Sequence, residues 1–175
     1  MPKYFLACAV ILAIAGAIQD ARSRRIPNRL TYFGLVAALL VRLFMIGWPG
    51  LKDGLVGTLL GGGLFFILFI AGGMGAGDVK LMAAVSAWAG SAQVINLMLA
   101  TAFAGGAMAV GMMLYRRKTL ITLLNTLELI RHHLTTGLRP HPELNVKDPN
   151  SMRVPFAPAI AVGALYCFGG LFLGG

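Results

Sequence analysis

Two aspartates in this chain occupy positions where acid–base chemistry could take place. Asp20 follows a long apolar segment, and Asp78 lies between a run of glycines and a second apolar segment. Carboxyl groups at the ends of apolar segments are costly to bury and are often functional. Two carboxyl groups held close together share a proton, so one can accept a proton from water while the other donates one. Asp20 and Asp78 are therefore the candidate catalytic pair.

The other reactive side chains support no competing site. All three histidines follow residue 115 in a polar segment: His132, His133 and His141. No His-Glu-x-x-His motif occurs, and Cys8 and Cys167 stand apart within apolar segments, so neither a zinc site nor a Cys-x-x-Cys pair is indicated. The glycines before Asp78 fit neither a Walker A loop nor a Rossmann pattern. We therefore expect no metal and no other cofactor.

The composition indicates that membrane-spanning helices position these residues. Of the 175 residues, 58% are hydrophobic and only 12% are charged, whereas about a quarter of a soluble domain is charged. The net charge of +9 invites a nucleic-acid partner, but a mean hydropathy of +0.79 and long apolar blocks favour the lipid bilayer instead. A crossing needs about 20 apolar residues, and six segments are candidates: 4–19, 30–47, 55–71, 79–89, 92–115 and 155–172. We predict an all-α, polytopic membrane protein that forms one domain over residues 1–175.

Basic residues set the orientation of these helices, because short loops rich in Lys and Arg stay in the cytoplasm. Most of the 15 basic residues flank one end of the predicted helices: Arg22, Arg24, Arg25, Arg29, Lys80, Arg116, Arg117, Lys118, Arg131, Arg139, Lys147 and Arg153. The first helix is expected to be retained rather than cleaved as a signal peptide, because its positive charge follows the apolar core. Both termini are thus predicted outside the cytoplasm, with Asp20 and Asp78 at the cytoplasmic face.

The longest polar segment, about residues 116–153, is predicted to lie in the cytoplasm. Leucines recur at helical spacing between residues 120 and 134, directly after three basic residues. This pattern predicts an amphipathic helix on the inner leaflet, which either anchors the topology or contacts a substrate. Residues 137–150 contain several prolines and are predicted to form a loop.

The fourth predicted helix is short, which affects the depth of Asp78. Its eleven residues rise only about 16 Å, so a helix that ends at Gly90 near the outer face must begin below the inner surface. The glycines of residues 72–77 let the backbone approach other groups closely. Irregular backbone at that depth is tolerated only where it is buried in protein or lines a wet cavity. We therefore expect a sunken cavity that holds Asp78.

Ordinary structural roles are the alternative for both aspartates. A cap at the start of the fourth helix would explain Asp78. An interfacial ion pair with Arg22 or Arg24 would explain Asp20.

Three further polar residues receive only structural predictions. Asp53 is expected to cap the third helix, and Asn28 to cap the second. Arg42 is expected to extend its side chain to the outer interface.

The residues around both aspartates resemble those of one protease family. One segment resembles the Gly-x-Gly-Asp signature of the type IV prepilin peptidases, which are aspartyl proteases: Gly75, Gly77, Asp78, Val79 and Lys80. Asp20, followed by basic residues and the tripeptide at 26–28, resembles the family's other catalytic segment. Residues 154–158 resemble the start of its last helix. The resemblance covers essentially the whole chain.

The resemblance implies a multi-pass endopeptidase of the bacterial inner membrane that removes the short cytoplasmic leader of prepilins. It implies Asp20 and Asp78 as the catalytic pair, with Gly75, Gly77 and Lys80 as supporting residues of the site loop. Larger members carry paired Cys-x-x-Cys motifs and also methylate the new N-terminus. Those motifs are absent here, so the chain resembles the short, peptidase-only form of the Flp or tight-adherence pilus type. No methyltransferase activity is expected.

Two other functions fit the same membrane architecture. In a small ion- or proton-coupled transporter subunit, Asp20 and Asp78 would carry ions. In a non-catalytic pilus assembly factor, only the fold would be retained. Processing of a prepilin after substitution of either aspartate distinguishes these functions from a peptidase.

Overall fold

The described part of the chain is entirely helical, which confirms the predicted fold class. The computed structural model describes residues 3–115 and 155–173 and the isolated positions 128, 131, 135 and 137. Within these residues six helices follow one another: α1 (Lys3–Ser23), α2 (Asn28–Ile46), α3 (Trp48–Ile70), α4 (Ala76–Ala89), α5 (Ser91–Tyr115) and α6 (Ala157–Leu173). The predicted amphipathic helix and the loop after it fall almost wholly outside the described residues.

Single glycines connect two pairs of consecutive helices. Gly47 joins α2 to α3 with a φ of 78°, and Gly90 joins α4 to α5 with a φ of 73°. Both values lie in the left-handed region, where glycine carries no steric penalty. Helix α3 begins at Trp48 rather than near residue 55, because Pro49 in its first turn supports a helix start directly after Gly47. Residues 48–54, which lie outside the predicted segments, are therefore helical.

Helix α4 lies at the centre of the bundle and packs against every other described helix. Most of its side chains after Asp78 are buried. The helices around it expose large apolar side chains on their outer faces, including Phe33, Leu59 and Phe103. This distribution suits a bundle surrounded by lipid.

Four of the described helices are long and apolar enough to cross a membrane: α1, α2, α3 and α5. Helix α4 has only 14 residues, and the apolar part of α6 is also short. The number of six crossings therefore stays a prediction.

Glycines of α3 allow its backbone to approach α4 closely. A Cβ atom at Gly57 would lie 2.5 Å from the carbonyl oxygen of Ser86, and one at Gly61 would overlap the Ser86 side chain. Two small residues four positions apart let membrane helices approach closely, and the two glycines serve that packing here.

Arg42 forms a buried polar cluster, so the predicted extension of its side chain to the outer interface is wrong. The guanidinium is fully buried; its Nη1 lies 2.6 Å from Asp53 Oδ2, and its Nη2 donates to the carbonyl of Trp88 at 2.8 Å. Asp53 also accepts a hydrogen bond of 3.0 Å from the backbone N–H of Ser91. Asp53 therefore caps α5 from the second turn of α3, and the prediction that it caps its own helix is wrong. This cluster connects the last turns of α2 and α4 with the first turns of α3 and α5.

Candidate active site

Asp20 lies near the end of α1, and its side chain faces the interior of the bundle. Only 9% of the residue is exposed, and its Oδ2 is buried without a hydrogen-bond partner among the described residues. The charge of Arg24 acts on the carboxylate from a distance, but no ion pair links Asp20 to Arg22 or Arg24 in the described part of the chain. The interfacial ion pair considered as the alternative role is therefore not formed.

Asp78 lies in the first turn of α4 and is only partly exposed. Its carboxylate lies close to the backbone of Gly75, the residue before the helix. The capping role considered as an alternative thus describes one of its contacts. It does not explain why the Asp78 carboxylate also lies within electrostatic range of Asp20. The structure brings the two aspartates together from separate helices.

A close contact between α1 and α4 explains this proximity. A Cβ atom at Gly16 would lie 2.6 Å from the Leu81 side chain, so Leu81 packs directly on the backbone of α1. Gly16 lies one turn before Asp20, and Leu81 one turn after Asp78. Because side chains one helical turn apart share a face, this contact directs both aspartates toward the interface of the two helices.

The loop between α1 and α2 packs on the first turn of α4. Ile26 contacts Gly77, where a Cβ atom would lie 3.3 Å from that of Ile26. Lys80 Nζ donates to Asn28 Oδ1 at 2.9 Å, and the same ammonium lies 5.5 Å from the centre of the Tyr32 ring. Asn28 is the first residue of α2, whose start has no side-chain cap, so the predicted capping role of Asn28 is wrong. Its side chain joins the start of α2 to the part of α4 that carries Asp78.

The start of α6 adds a contact that sequence reasoning missed. The backbone N–H of Ala157, the first residue of α6, lies close to the Asp20 carboxylate. Phe156 fixes this helix end, because its ring lies 5.8 Å from that of Phe65 and also packs on Gly105. The prolines at 155 and 158 are a signal for a helix start. The two prolines therefore predict a free N–H group at Ala157. They do not predict that this group lies close to the Asp20 carboxylate.

The described residues contain no group of three or more His, Cys, Asp or Glu side chains that could hold a metal ion. The two aspartates offer the chemistry of a carboxyl pair, with the backbone N–H groups of Ala157 and Gly75 close by.

A sequence model described as the type IV leader peptidase family matches residues 6–110. This range is more than half of the chain and contains both aspartates and the glycine loop. The chain belongs to the type IV leader peptidase family. No curated protein and no solved structure matched it.

Membership of the leader peptidase family and the long apolar helices together make this chain a membrane-embedded protease. The matched range spans α1 to α4 and ends within α5. Helix α6, which supplies the N–H group of Ala157, lies beyond that range.

Proposed function

We propose that this leader peptidase removes the short cytoplasmic leader of prepilins, with Asp20 and Asp78 as its catalytic pair. One observation carries the proposal: two carboxylates from different helices lie within electrostatic range, and an oxygen of one of them is buried without a hydrogen-bond partner among the residues that the structure describes. An unsatisfied buried oxygen is costly in a purely structural role. In a catalytic role, an oxygen of this kind is available to bind a water molecule or the scissile carbonyl of the substrate.

The proposed mechanism uses one shared proton. The ionised aspartate takes a proton from a water molecule, which attacks the carbonyl carbon of the scissile peptide bond. The protonated aspartate donates its proton to the carbonyl oxygen as negative charge develops there. The resulting intermediate then collapses, and the leaving amine takes up a proton from the pair. We describe Asp20 and Asp78 as one coupled unit, because protons on two interacting carboxyls belong to the pair.

The proposed location follows from charge and from the position of the pair. Four arginines lie in or directly beside the short loop between α1 and α2: Arg22, Arg24, Arg25 and Arg29. Lys80 lies in the first turns of α4, just after Asp78. By the positive-inside rule this end of the bundle faces the cytoplasm, which places both termini on the other side of a bacterial inner membrane. A prepilin is cut just before its hydrophobic helix, so its scissile bond arrives at the same depth. With only two cysteines, far apart in sequence, the chain fits a peptidase of the Flp pilus type without methyltransferase activity.

Co-expression with an Flp-type prepilin, in a host that lacks such a peptidase, tests the proposed function. We expect a faster-migrating pilin on a gel and a new N-terminus, read by mass spectrometry, at the leader boundary. A prepilin that stays full-length beside membrane-inserted wild-type chain would contradict the proposal and favour a non-catalytic assembly role.

Gly75 constrains the Asp78 carboxylate, which gives a second test. A Cβ atom at Gly75 would lie 3.0 Å from Asp78 Oδ2, so Gly75→Ala should displace the carboxylate from its position. We expect leader removal to slow by about tenfold or more, because a small misplacement of a reacting group is costly. Single-turnover cleavage in detergent micelles measures the rate.

The matched control is Gly73→Ala in the same loop. A Cβ atom there meets only the carbonyl of Leu68, at an ordinary 3.6 Å. This variant should cleave at the wild-type rate. Equal slowing in both variants would show that the loop as a whole, rather than the contact with Asp78, is sensitive.

A further inference from the structure

An apolar groove lies beside the candidate site, between α2, α3 and α4. Its volume is about 380 Å³, within the range of cavities that bind ligands. Its walls include Tyr32 from α2 and Val79 and Lys80 from α4, together with three residues of α3: Leu59, Gly63 and Phe66. The groove is open to the outside of the bundle, since Leu59 is 72% exposed and Phe66 is 52% exposed.

The groove begins beside the turn of α4 that carries Asp78. Val79 and Lys80, which line it, directly follow Asp78 in the first turn of α4. Successive residues of a helix point in different directions, so Asp78 faces α1 while its two neighbours face the groove. The part of α3 that lines the groove runs from the middle of that helix toward the end that leads to the glycine loop. A segment that lies in the groove would therefore run along the outside of the bundle, from the level of Asp78 toward the middle of α3.

The chemistry of the lining selects an apolar occupant with a polar end. Lys80 is the single charged residue among the described residues that line the groove. Its ammonium group donates a hydrogen bond to Asn28 at the end of the groove nearest the start of α2. The hydroxyl of Thr58 donates to the carbonyl of Gly54 in its own helix. The remainder of the wall thus presents almost only apolar surface. At Gly63 a Cβ atom would meet nothing within 4 Å, so a second helix can approach the backbone there.

We propose that this groove binds the transmembrane helix of the substrate, the apolar segment that directly follows the scissile bond. The inference rests on the proposed function, because it takes the substrate to be a prepilin cut at the start of such a helix. The groove begins at the turn that holds Asp78 and runs away from it, as the part of the substrate beyond the scissile bond must. A lipid chain or a second copy of this protein would be the other occupants of such a surface.

Photo-crosslinking identifies the occupant directly. A benzophenone amino acid replaces Leu59 in the full chain, which also carries Asp78→Asn so that uncut prepilin accumulates. The control position is Phe103 on α5, which is 78% exposed and does not line the groove. We expect a crosslink to co-expressed prepilin at Leu59, several-fold stronger than at Phe103, and mass spectrometry should map it to the apolar helix. A crosslink only to lipid, only to a second copy of this chain, or equal crosslinking at both positions overturns the proposal.

A groove-filling variant tests whether the same surface matters for cleavage. Gly63→Leu places a large side chain in the groove without an existing neighbour to displace. Prepilin processing should slow by about tenfold, as expected for a weakened helix contact. Gly106→Leu on α5 is the matched control, since a Cβ atom there also meets nothing within 4 Å, and it should process normally.

The outcomes separate the two proposals. Absence of processing by the wild-type chain would remove the proposed function itself. Normal processing by the wild type and by Gly63→Leu would leave the peptidase function intact and overturn the groove as the substrate site.

Discussion

Replacing Asp20 or Asp78 with Asn should each reduce leader removal by about 10³-fold or more, which is the scale of losing a positioned acid or base. The asparagine side chain keeps the size and one oxygen of the carboxyl but can neither share nor transfer the proton. Because the proposed mechanism needs both groups, the double variant should be little slower than either single variant. Rates are measured by gel shift of a co-expressed prepilin and by single-turnover cleavage in detergent.

Glu128→Gln is the control for this loss. Glu128 is exposed, and its substitution removes one acid without touching the pair, so processing should stay at the wild-type rate. Membrane insertion of all variants is compared by extraction and size-exclusion chromatography. Normal processing by an inserted Asp20→Asn or Asp78→Asn chain would contradict the catalytic assignment.

Replacing Asp53 with Ala should lower the free energy of unfolding by about 3 kcal/mol, the lower end of the usual cost of removing one partner from a buried ion pair, because the Asp53 side chain is itself 29% exposed. Arg42 is fully buried and lies 2.6 Å from Asp53, so the substitution leaves its charge without compensation. The same change removes the acceptor for the backbone N–H of Ser91 at the start of α5. Titration of the protein in mixed micelles with a denaturing detergent measures the loss.

Two comparisons separate the buried charge from other effects. The double variant Arg42→Met with Asp53→Ala removes the charge as well, and it should be more stable than Asp53→Ala alone. Lys52→Ala changes the exposed neighbouring residue and should unfold like the wild type. A double variant no more stable than the single one would show that the lost cap, rather than the unpaired guanidinium, causes the damage.

The sequence was sufficient to predict the helices but not the ends of all of them. Long apolar blocks bounded by glycine and charge predicted six helices, and the structure describes six. The sequence predicts the start of α3 too late, at residue 55 instead of Trp48, because the charged residues Lys52 and Asp53 are typical of a loop. Their polarity is accommodated inside a helix because Asp53 pairs with Arg42, a partner from another helix that no local pattern predicts.

The candidate site likewise has residues that the sequence predicts and contacts that only the folded chain forms. The two aspartates were found from the sequence because acids are scarce in this chain and because the glycines before Asp78 predict an irregular loop. Their approach depends on the packing of Leu81 against Gly16, and the loop contacts depend on Ile26 against Gly77 and Lys80 with Asn28. Each of these contacts joins residues far apart along the chain. The Ala157 N–H reaches Asp20 from the last described helix, so its role appears only after folding.

Hydropathy, charge and helix periodicity are local properties, so the linear pattern is enough to predict a helical membrane protein with two candidate acids. The resemblance of its motifs also pointed to the leader peptidase family, which the family match confirmed. The tertiary structure decided which polar residues are partners, that Arg42 is buried rather than interfacial, and that a groove adjoins the aspartate pair. These features arise where side chains of separate helices meet, and their energies depend on burial and geometry that a linear pattern does not contain.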